Sequence, residues 1–242
     1  MMAGAPDLSS PSPSSAREFY DRDYFEGGKR DSPAHTHETI YPLIEPTAVF
    51  LTRLYHPGTV VDLGCAKGYL VEAFQKTGIE KTFGMDVSTY AVSAGGTSTR
   101  GRLLVGDVAA GIPLRSGSFD LVTGLDLFEH LHDPAPVLAE IRRILSAGGV
   151  AYLKICHPRH ANAQRDPSHV NVRPLPYWRN EFLRAGFCCR RVFEADFGTP
   201  AGPVERLKFL LRRFREWAVI GNPADYKFLL EGNPRSPSGA EE

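Results

Sequence analysis

Asp62-Leu63-Gly64-Cys65-Ala66-Lys67-Gly68 is the stretch that decides the fold. It follows a short apolar run over residues 59–63 and precedes a helical pattern over 69–77, so it reads as the turn between a strand and a helix. Small residues at alternate positions, Gly64, Ala66 and Gly68, let the chain turn tightly and let a ligand lie against bare backbone. Working outward, apolar runs at 81–85, 102–105, 119–123, 150–155, 188–196 and 226–231 read as further strands. Helical patterns fall between them at 88–94, 136–145 and 176–185. In the helix at 136–145, Val137, Leu138, Ile141, Ile144 and Leu145 form an apolar stripe, and Gly148-Gly149 reads as its stop. Gly186 reads as the stop of the helix at 176–185. A covering helix at 38–55 precedes the first strand, and its pattern predicts breaks near Pro42 and Pro46. This alternation predicts an α/β fold with a mainly parallel sheet.

The glycine spacing separates the cofactors such a turn serves. A dinucleotide fingerprint wants G-x-G-x-x-G, with its third glycine where the helix packs on the strand. Gly64 and Ala66 fill the first two places, but Tyr69 stands in the third, which argues against a nicotinamide-dependent oxidoreductase. An acidic residue ends each of the next two strands, at the edge where ligands bind in such sheets. Asp86, followed by Val87, lies 22 residues past Gly64 and is placed to accept both hydroxyls of a ribose. Asp107, followed by Val108, is placed to accept from an adenine amine. The bland alternative is that each Asp caps the helix after it.

Taken in order, V-D-L-G-C-A-K-G, G-M-D-V-S, G-D-V and F-D-L-V-T-G-L-D-L-F-E-H-L, then R-I-L-S-A-G-G, resemble the motif series of class I S-adenosylmethionine-dependent methyltransferases. More narrowly they resemble the small-molecule branch related to ubiquinone, menaquinone and natural-product methyltransferases. The resemblance implies a Rossmann-like, seven-stranded sheet with an antiparallel last strand and helices on both faces. It implies S-adenosyl-L-methionine as methyl donor, released as S-adenosyl-L-homocysteine. Asp62, Gly64, Ala66 and Gly68 would surround the methionyl end, with Asp86 and Val87 at the ribose and Asp107 and Val108 at the adenine. Leu125 and Asp126 would line the opening after the fourth strand. Ala66 departs from the pattern, since many relatives carry Gly there. Glu129 and His130 belong to the E-H-L signature, where a structural role for His130 is expected.

Two segments are candidates for covering the acceptor. Phe19-Tyr20-Asp21-Arg22-Asp23-Tyr24-Phe25-Glu26-Gly27-Gly28 resembles an N-terminal flap, and the aromatic faces of Tyr20 and Tyr24 suit a sulfonium. An aromatic-anchored helix that merely packs on the domain is the alternative. After the fifth strand come His157-Pro158-Arg159-His160 and Asp166-Pro167-Ser168-His169-Val170-Asn171, too polar for a core. Imidazole titrates in the range useful for removing a proton near neutral pH. His169 is the expected base, oriented by Asp166, with His157 as the alternative. His157, His160, Asp166 and His169 are all ligand types, but their spacing defines no compact metal site, and none is expected. A base favours a hydroxyl acceptor, so methylation of a small-molecule oxygen is the expected reaction, and an adenosylmethionine-binding protein without catalysis is the alternative.

Composition bounds the rest. The 242 residues are 42% hydrophobic and 23% charged, with Lys+Arg and Asp+Glu both at 28. Net charge is therefore zero, which argues against a nucleic-acid partner. Four cysteines without a CxxC pair read as reduced thiols, and no apolar run reaches membrane-spanning length, so a cytoplasmic protein, monomer or homodimer, is expected. Residues 1–16 and 232–242 read as disordered ends and 17–231 as one domain, with 17–58 as flap and covering helix. A basic amphipathic helix at 203–220 reads as cover for the sheet or a dimer partner rather than as a stable membrane anchor.

Overall fold

The computed structural model describes residues 13–28, 34–160, 163, 165–192 and 225–232. Two short helices come first, α1 (Pro13–Phe19) and α2 (Arg22–Phe25), then the long α3 (His37–Tyr55). The domain continues as β1 (Thr59–Leu63), α4 (Tyr69–Lys76), β2 (Lys81–Asp86), α5 (Thr89–Ser93) and β3 (Leu103–Val105). It closes with β4 (Phe119–Leu125), α6 (Ala135–Ile144), β5 (Leu145–Ile155), α7 (Leu175–Arg184), β6 (Phe187–Arg191) and β7 (Tyr226–Gly232). The sheet order is β3-β2-β1-β4-β5-β7-β6. The first five strands are parallel, and β7 runs antiparallel to both β5 and β6. This is the architecture the sequence predicts. Strand order reverses between β1 and β4, so the carboxyl ends of the central strands open a crevice there.

Side-chain alternation sorts the core into two layers. Val61 and Leu63 of β1, Val122 of β4, Leu153 of β5 and Phe228 of β7 pack with α6 and α7 through Leu138, Ile141, Trp178 and Phe182. Their neighbours Val60, Leu121, Tyr152 and Leu229 face α3 and α4 through Leu51, Leu70 and Phe74. Each fully buried side chain of this size contributes on the order of 1.5–3 kcal/mol.

Three boundaries differ from expectation. α1 begins at Pro13, inside the segment read as a disordered lead. α3 is unbroken: Pro42 and Pro46 stand four residues apart on one exposed stripe. The missing donors and displaced carbonyls therefore fall together on the solvent side, where water satisfies them. Its N-terminus is held by a capping box between Thr36 and Thr39. Gly148-Gly149 does not stop α6, which ends at Ile144 as Leu145 enters β5 directly. The glycines instead absorb an irregularity in β5, where the pairing steps from Phe119↔Leu145 to Leu121↔Val150. Gly148 has φ +80°, and a Cβ on Gly149 would lie 2.9 Å from the Phe119 carbonyl oxygen. Gly186 does end α7, with φ +78°. The expected helix at 203–220, the tail after Gly232 and the far half of the strand expected at 188–196 lie outside the described residues.

Candidate active site

The carboxyl ends of β1, β2, β4 and β5 open into one cleft of about 1470 Å³. Its floor is the turn after β1. Gly64, Ala66 and Gly68 all take left-handed φ values, +72°, +49° and +77°. The turn is stitched to β2, because Met85 O accepts from the amides of Gly64 (2.8 Å) and Cys65 (3.1 Å). Asp86 completes the seam: Oδ2 accepts from the Ala66 amide at 2.7 Å and Oδ1 from the Ser88 amide at 2.8 Å. Burial holds the Asp86 carboxyl above the usual range, against those two bonds. Each oxygen is left with acceptor capacity.

Asp62, buried beneath the turn, accepts from Thr123 Oγ1 at 2.7 Å, and burial pushes its carboxyl up to about 7. Asp107 accepts from the Ala109 amide at 2.9 Å and caps a single 3-10 turn, so the bland reading holds for it while it also lines the cleft. Val87, Val108, Leu125 and Asp126 line the cleft. Gly68 does not. It sits behind the turn as the N-cap of α4, where a Cβ would lie 2.9 Å from Leu103 Cδ1.

The N-terminal segment covers this floor. Tyr24 and Phe25 are buried against Ala91, with Phe19, Tyr20 and Ala66 beside them. Tyr20 and Tyr24 meet edge to face at 4.7 Å and line the cleft. Polar contacts fasten the segment: Glu26 Oε1 accepts from Lys67 Nζ and from Tyr90 Oη, each at 2.7 Å, and Ser88 Oγ donates to Tyr20 O. Lys67 was part of the quoted turn, but only the fold reveals its buried ammonium as the anchor of the flap.

At the other end, loops after β4 and β5 bring imidazoles together. Glu129 is buried, and its Oε1 accepts from the Cys156 amide at 3.2 Å while its carbonyl accepts from the Asn171 amide at 2.9 Å. The E-H-L turn therefore holds both the end of β5 and the segment that carries His169. His130 Nδ1 lies 3.0 Å from Ser168 O. A carbonyl only accepts, so Nδ1 carries the proton and Nε2 is the basic nitrogen. Burial, then the neighbouring His169, lowers the His130 pKa to about 4. The His130 and His169 rings stand 4.8 Å apart, and His130 also meets Tyr20 at 5.8 Å. His169 Nε2 is 3.8 Å from Asp166 Oδ2, while Asp166 Oδ1 accepts from the amide and hydroxyl of Ser168.

His157 does not line the cleft. Its ring packs on Tyr226 at 4.6 Å and its Nδ1 accepts from the Arg159 amide at 3.0 Å. The four ligand-type residues noted in the sequence do not gather either. Among the described residues, donor atoms within 4.8 Å of one another occur in two other groups, Glu129 with His130 and His169, and Cys156 with His160 and Asp225. Lys154 is the site residue that sequence reading missed. Its ammonium lies 2.5 Å from Asp126 Oδ2 and 3.5 Å from Asp225 Oδ2, tying the loop after β4 to the start of β7. A lone lysine at the end of the buried run Ala151-Tyr152-Leu153 was the available signal.

An open α/β sheet of this order, with its ligand cleft at the β1–β4 switch and acidic residues ending β2 and leading out of β3, defines the Rossmann-like class I methyltransferase architecture. Residues 61–153 match the family model described as a methyltransferase domain, the same stretch that carries the class I methyltransferase resemblance. The chain is similar to a ubiquinone biosynthesis O-methyltransferase of Pseudomonas paraeruginosa, with 31% identity over 39% of this chain and 43% of that protein. It thus spans less than half the length of the curated relative it matches. Among solved structures it resembles an S-adenosylmethionine-dependent methyltransferase from Mesorhizobium loti (TM-score 0.60, 17% identity, 79% of this chain and 99% of that one). It also resembles the cyclase SpnF (TM-score 0.59, 16% identity, 94% and 98%). These structural likenesses are of fold.

Proposed function

We propose that this chain is an S-adenosylmethionine-dependent methyltransferase that acts on a hydroxyl of a small-molecule acceptor. The observation that carries the reading is one cleft with two chemically distinct ends: a backbone cradle with carboxylates, and a cluster of imidazoles. The cradle fits the donor. Asp86 keeps acceptor capacity for ribose hydroxyls, Asp107 keeps a second oxygen, and the left-handed turn lets a ligand approach main chain at Gly64 and Ala66. Tyr69, in the place of the third glycine, lines the cleft and weighs against a dinucleotide. When bound, S-adenosylmethionine supplies an electrophilic sulfonium methyl. A fold shared with a cyclase does not fix the reaction, so the imidazole end and the family match carry methyl transfer.

The protein's task in such a displacement is alignment and exclusion of water. The flap aromatics and the Glu26–Lys67 pair support the second, since they close the cleft over its floor. We assign His169 as the base. Asp166 is its nearest carboxylate, at a separation that shortens in many enzymes only when substrate is bound. Asp166 also builds the turn that presents His169, whose amide donates to Asp166 O at 3.1 Å. Free thiols at all four cysteines support a reducing, cytoplasmic setting, and no helix among the described residues is long and apolar enough to cross a membrane.

Incubation with methyl-labelled S-adenosylmethionine and a metabolite extract tests the reading. The expected result is a labelled small molecule heavier by one methylene, stable to conditions that cleave esters. Binding of the donor without any labelled product across acceptor pools would favour the non-catalytic alternative.

A further inference from the structure

We propose that Cys156, His160 and Asp225 form a zinc site whose remaining coordination position opens into the cleft. The three donor atoms lie within 4.8 Å of one another, although they come from the end of β5, the loop after it and the lead into β7. Local bonds make them converge. The His160 amide donates to His157 O at 2.8 Å, which curls the chain after Cys156 back on itself. The His157 amide donates to Asp225 Oδ1 at 3.2 Å and fixes that carboxylate beside the turn. All three residues line the cleft.

Donor chemistry selects the metal. A thiolate, an imidazole and a carboxylate suit zinc, whereas magnesium and calcium take oxygen ligands. Zinc with three protein ligands and one open position is the catalytic rather than the structural pattern. Zinc lies about 2.0–2.3 Å from such ligands, which sets tetrahedral donors about 3.5 Å apart, so seating the ion in a group whose donors lie within 4.8 Å of one another would require them to close by no more than ~1.3 Å. Charge also balances. Lys154 lies closer to Asp126 (2.5 Å) than to Asp225 (3.5 Å) and forms a neutral pair with the former. The Asp225 carboxylate and a Cys156 thiolate would then neutralise a divalent ion, with the thiol proton released to solvent. The Cys156 thiol is committed only to a long 3.7 Å contact with His157 O. An open zinc position at the acceptor end would bind an acceptor oxygen and ease its deprotonation. That use rests on the function proposed above, whereas the site itself does not.

The test needs no acceptor. Purified full-length protein, reduced and stripped with a chelator, is titrated with cobalt(II) as the spectroscopic stand-in, then with zinc. The expected result is one equivalent of cobalt per chain, with a thiolate-to-cobalt charge-transfer band and tetrahedral visible bands that zinc abolishes. Cys156→Ser should remove the charge-transfer band, and His160→Gln, at a half-buried position, should weaken binding ~10-fold or more. His169→Ala should leave both unchanged. Absence of a saturable thiolate band in the wild-type protein would overturn the site, as would a band that survives Cys156→Ser. Binding lost in His169→Ala but kept in His160→Gln would assign the metal to the Glu129, His130 and His169 group and equally overturn it. Failure to transfer methyl groups bears on the proposed function, not on these spectra.

Discussion

The two ends of the cleft are built by different means. The cradle end is made by main chain: three left-handed residues within five positions, and amides of Gly64, Cys65 and Ala66 bonded to Met85 and Asp86. The imidazole end is held by side chains that reach across long sequence separations: Lys154 to Asp126 and Asp225, Glu129 to the Cys156 amide, and His130 to the Ser168 carbonyl. A main-chain site is rigid and tolerates few changes of backbone, whereas a side-chain site can be respecified by single substitutions on the same scaffold. The donor end is therefore expected to respond to mutation in affinity, and the acceptor end in turnover.

The largest expected effect tests that division. His169→Ala should lower turnover ~10²–10⁴-fold, the range for loss of a general base, with S-adenosylhomocysteine affinity nearly unchanged. The rate should rise with pH through a histidine-like titration in the wild type and lose that dependence in the variant. An equal fall in affinity would mean that His169 shapes the cradle, and the two ends would not be separable. Near-normal turnover would point to an acceptor that needs no base.

Next in size is a pH effect on stability. Asp62 titrates near 7 in the folded protein and at a normal carboxylate value when unfolded, so the folded state holds the proton longer. Its contribution is complete below the unfolded pKa and is lost as pH rises to about 7. His130 works oppositely: its folded pKa of about 4 makes stability present above the unfolded value and lost as pH falls through 4. The two slopes oppose each other over most of the range from pH 4 to 6.5. Asp62→Asn should remove one of the slopes opposing His130, so that stability falls less steeply or rises more steeply with pH over that window than in the wild type, on the order of 1.4 kcal/mol per pKa unit. Urea unfolding at several pH values reads this out, and superimposable profiles for variant and wild type would remove Asp62 from the account.

Smaller effects sharpen the picture of the cradle. Ala66 holds a left-handed φ of +49°, a conformation that costs an L-residue roughly 1–2 kcal/mol and glycine little. Ala66→Gly should raise stability by up to ~1 kcal/mol, since greater unfolded-state freedom offsets part of the relief. Unchanged or weaker thermal stability would show that the turn relaxes around the methyl group. Glu26→Gln removes the charge facing the buried Lys67 ammonium while keeping shape, and should speed release of S-adenosylhomocysteine severalfold in stopped-flow measurements. An unaltered release rate would leave the flap as packing alone.

The same division explains what the sequence made legible. Local rules specify strands, glycine turns and helix stripes, so the sheet, the Gly64–Gly68 turn and the Asp86 and Asp107 positions could be read directly. Reading failed where geometry is set at a distance. Pro42 and Pro46 leave α3 whole because both face solvent, which depends on how the helix docks. Gly148-Gly149 serves β5 because α6 has already ended. His157 stood as the alternative to His169, but its ring packs on Tyr226, more than sixty positions away, and does not line the cleft. Lys154 gained its meaning only when Asp126 and Asp225 arrived beside it.

Binding of S-adenosylmethionine by the cradle between β1 and β2, through Asp86, is tested most directly by calorimetry. S-adenosylhomocysteine titrated into the full-length protein should bind saturably, and Asp86→Ala should weaken it by about 1.5–3 kcal/mol, the scale for hydrogen bonds to a charged group. NADH should give no heat. Equal affinity in Asp86→Ala, or saturable binding of NADH in place of S-adenosylhomocysteine, would contradict the account.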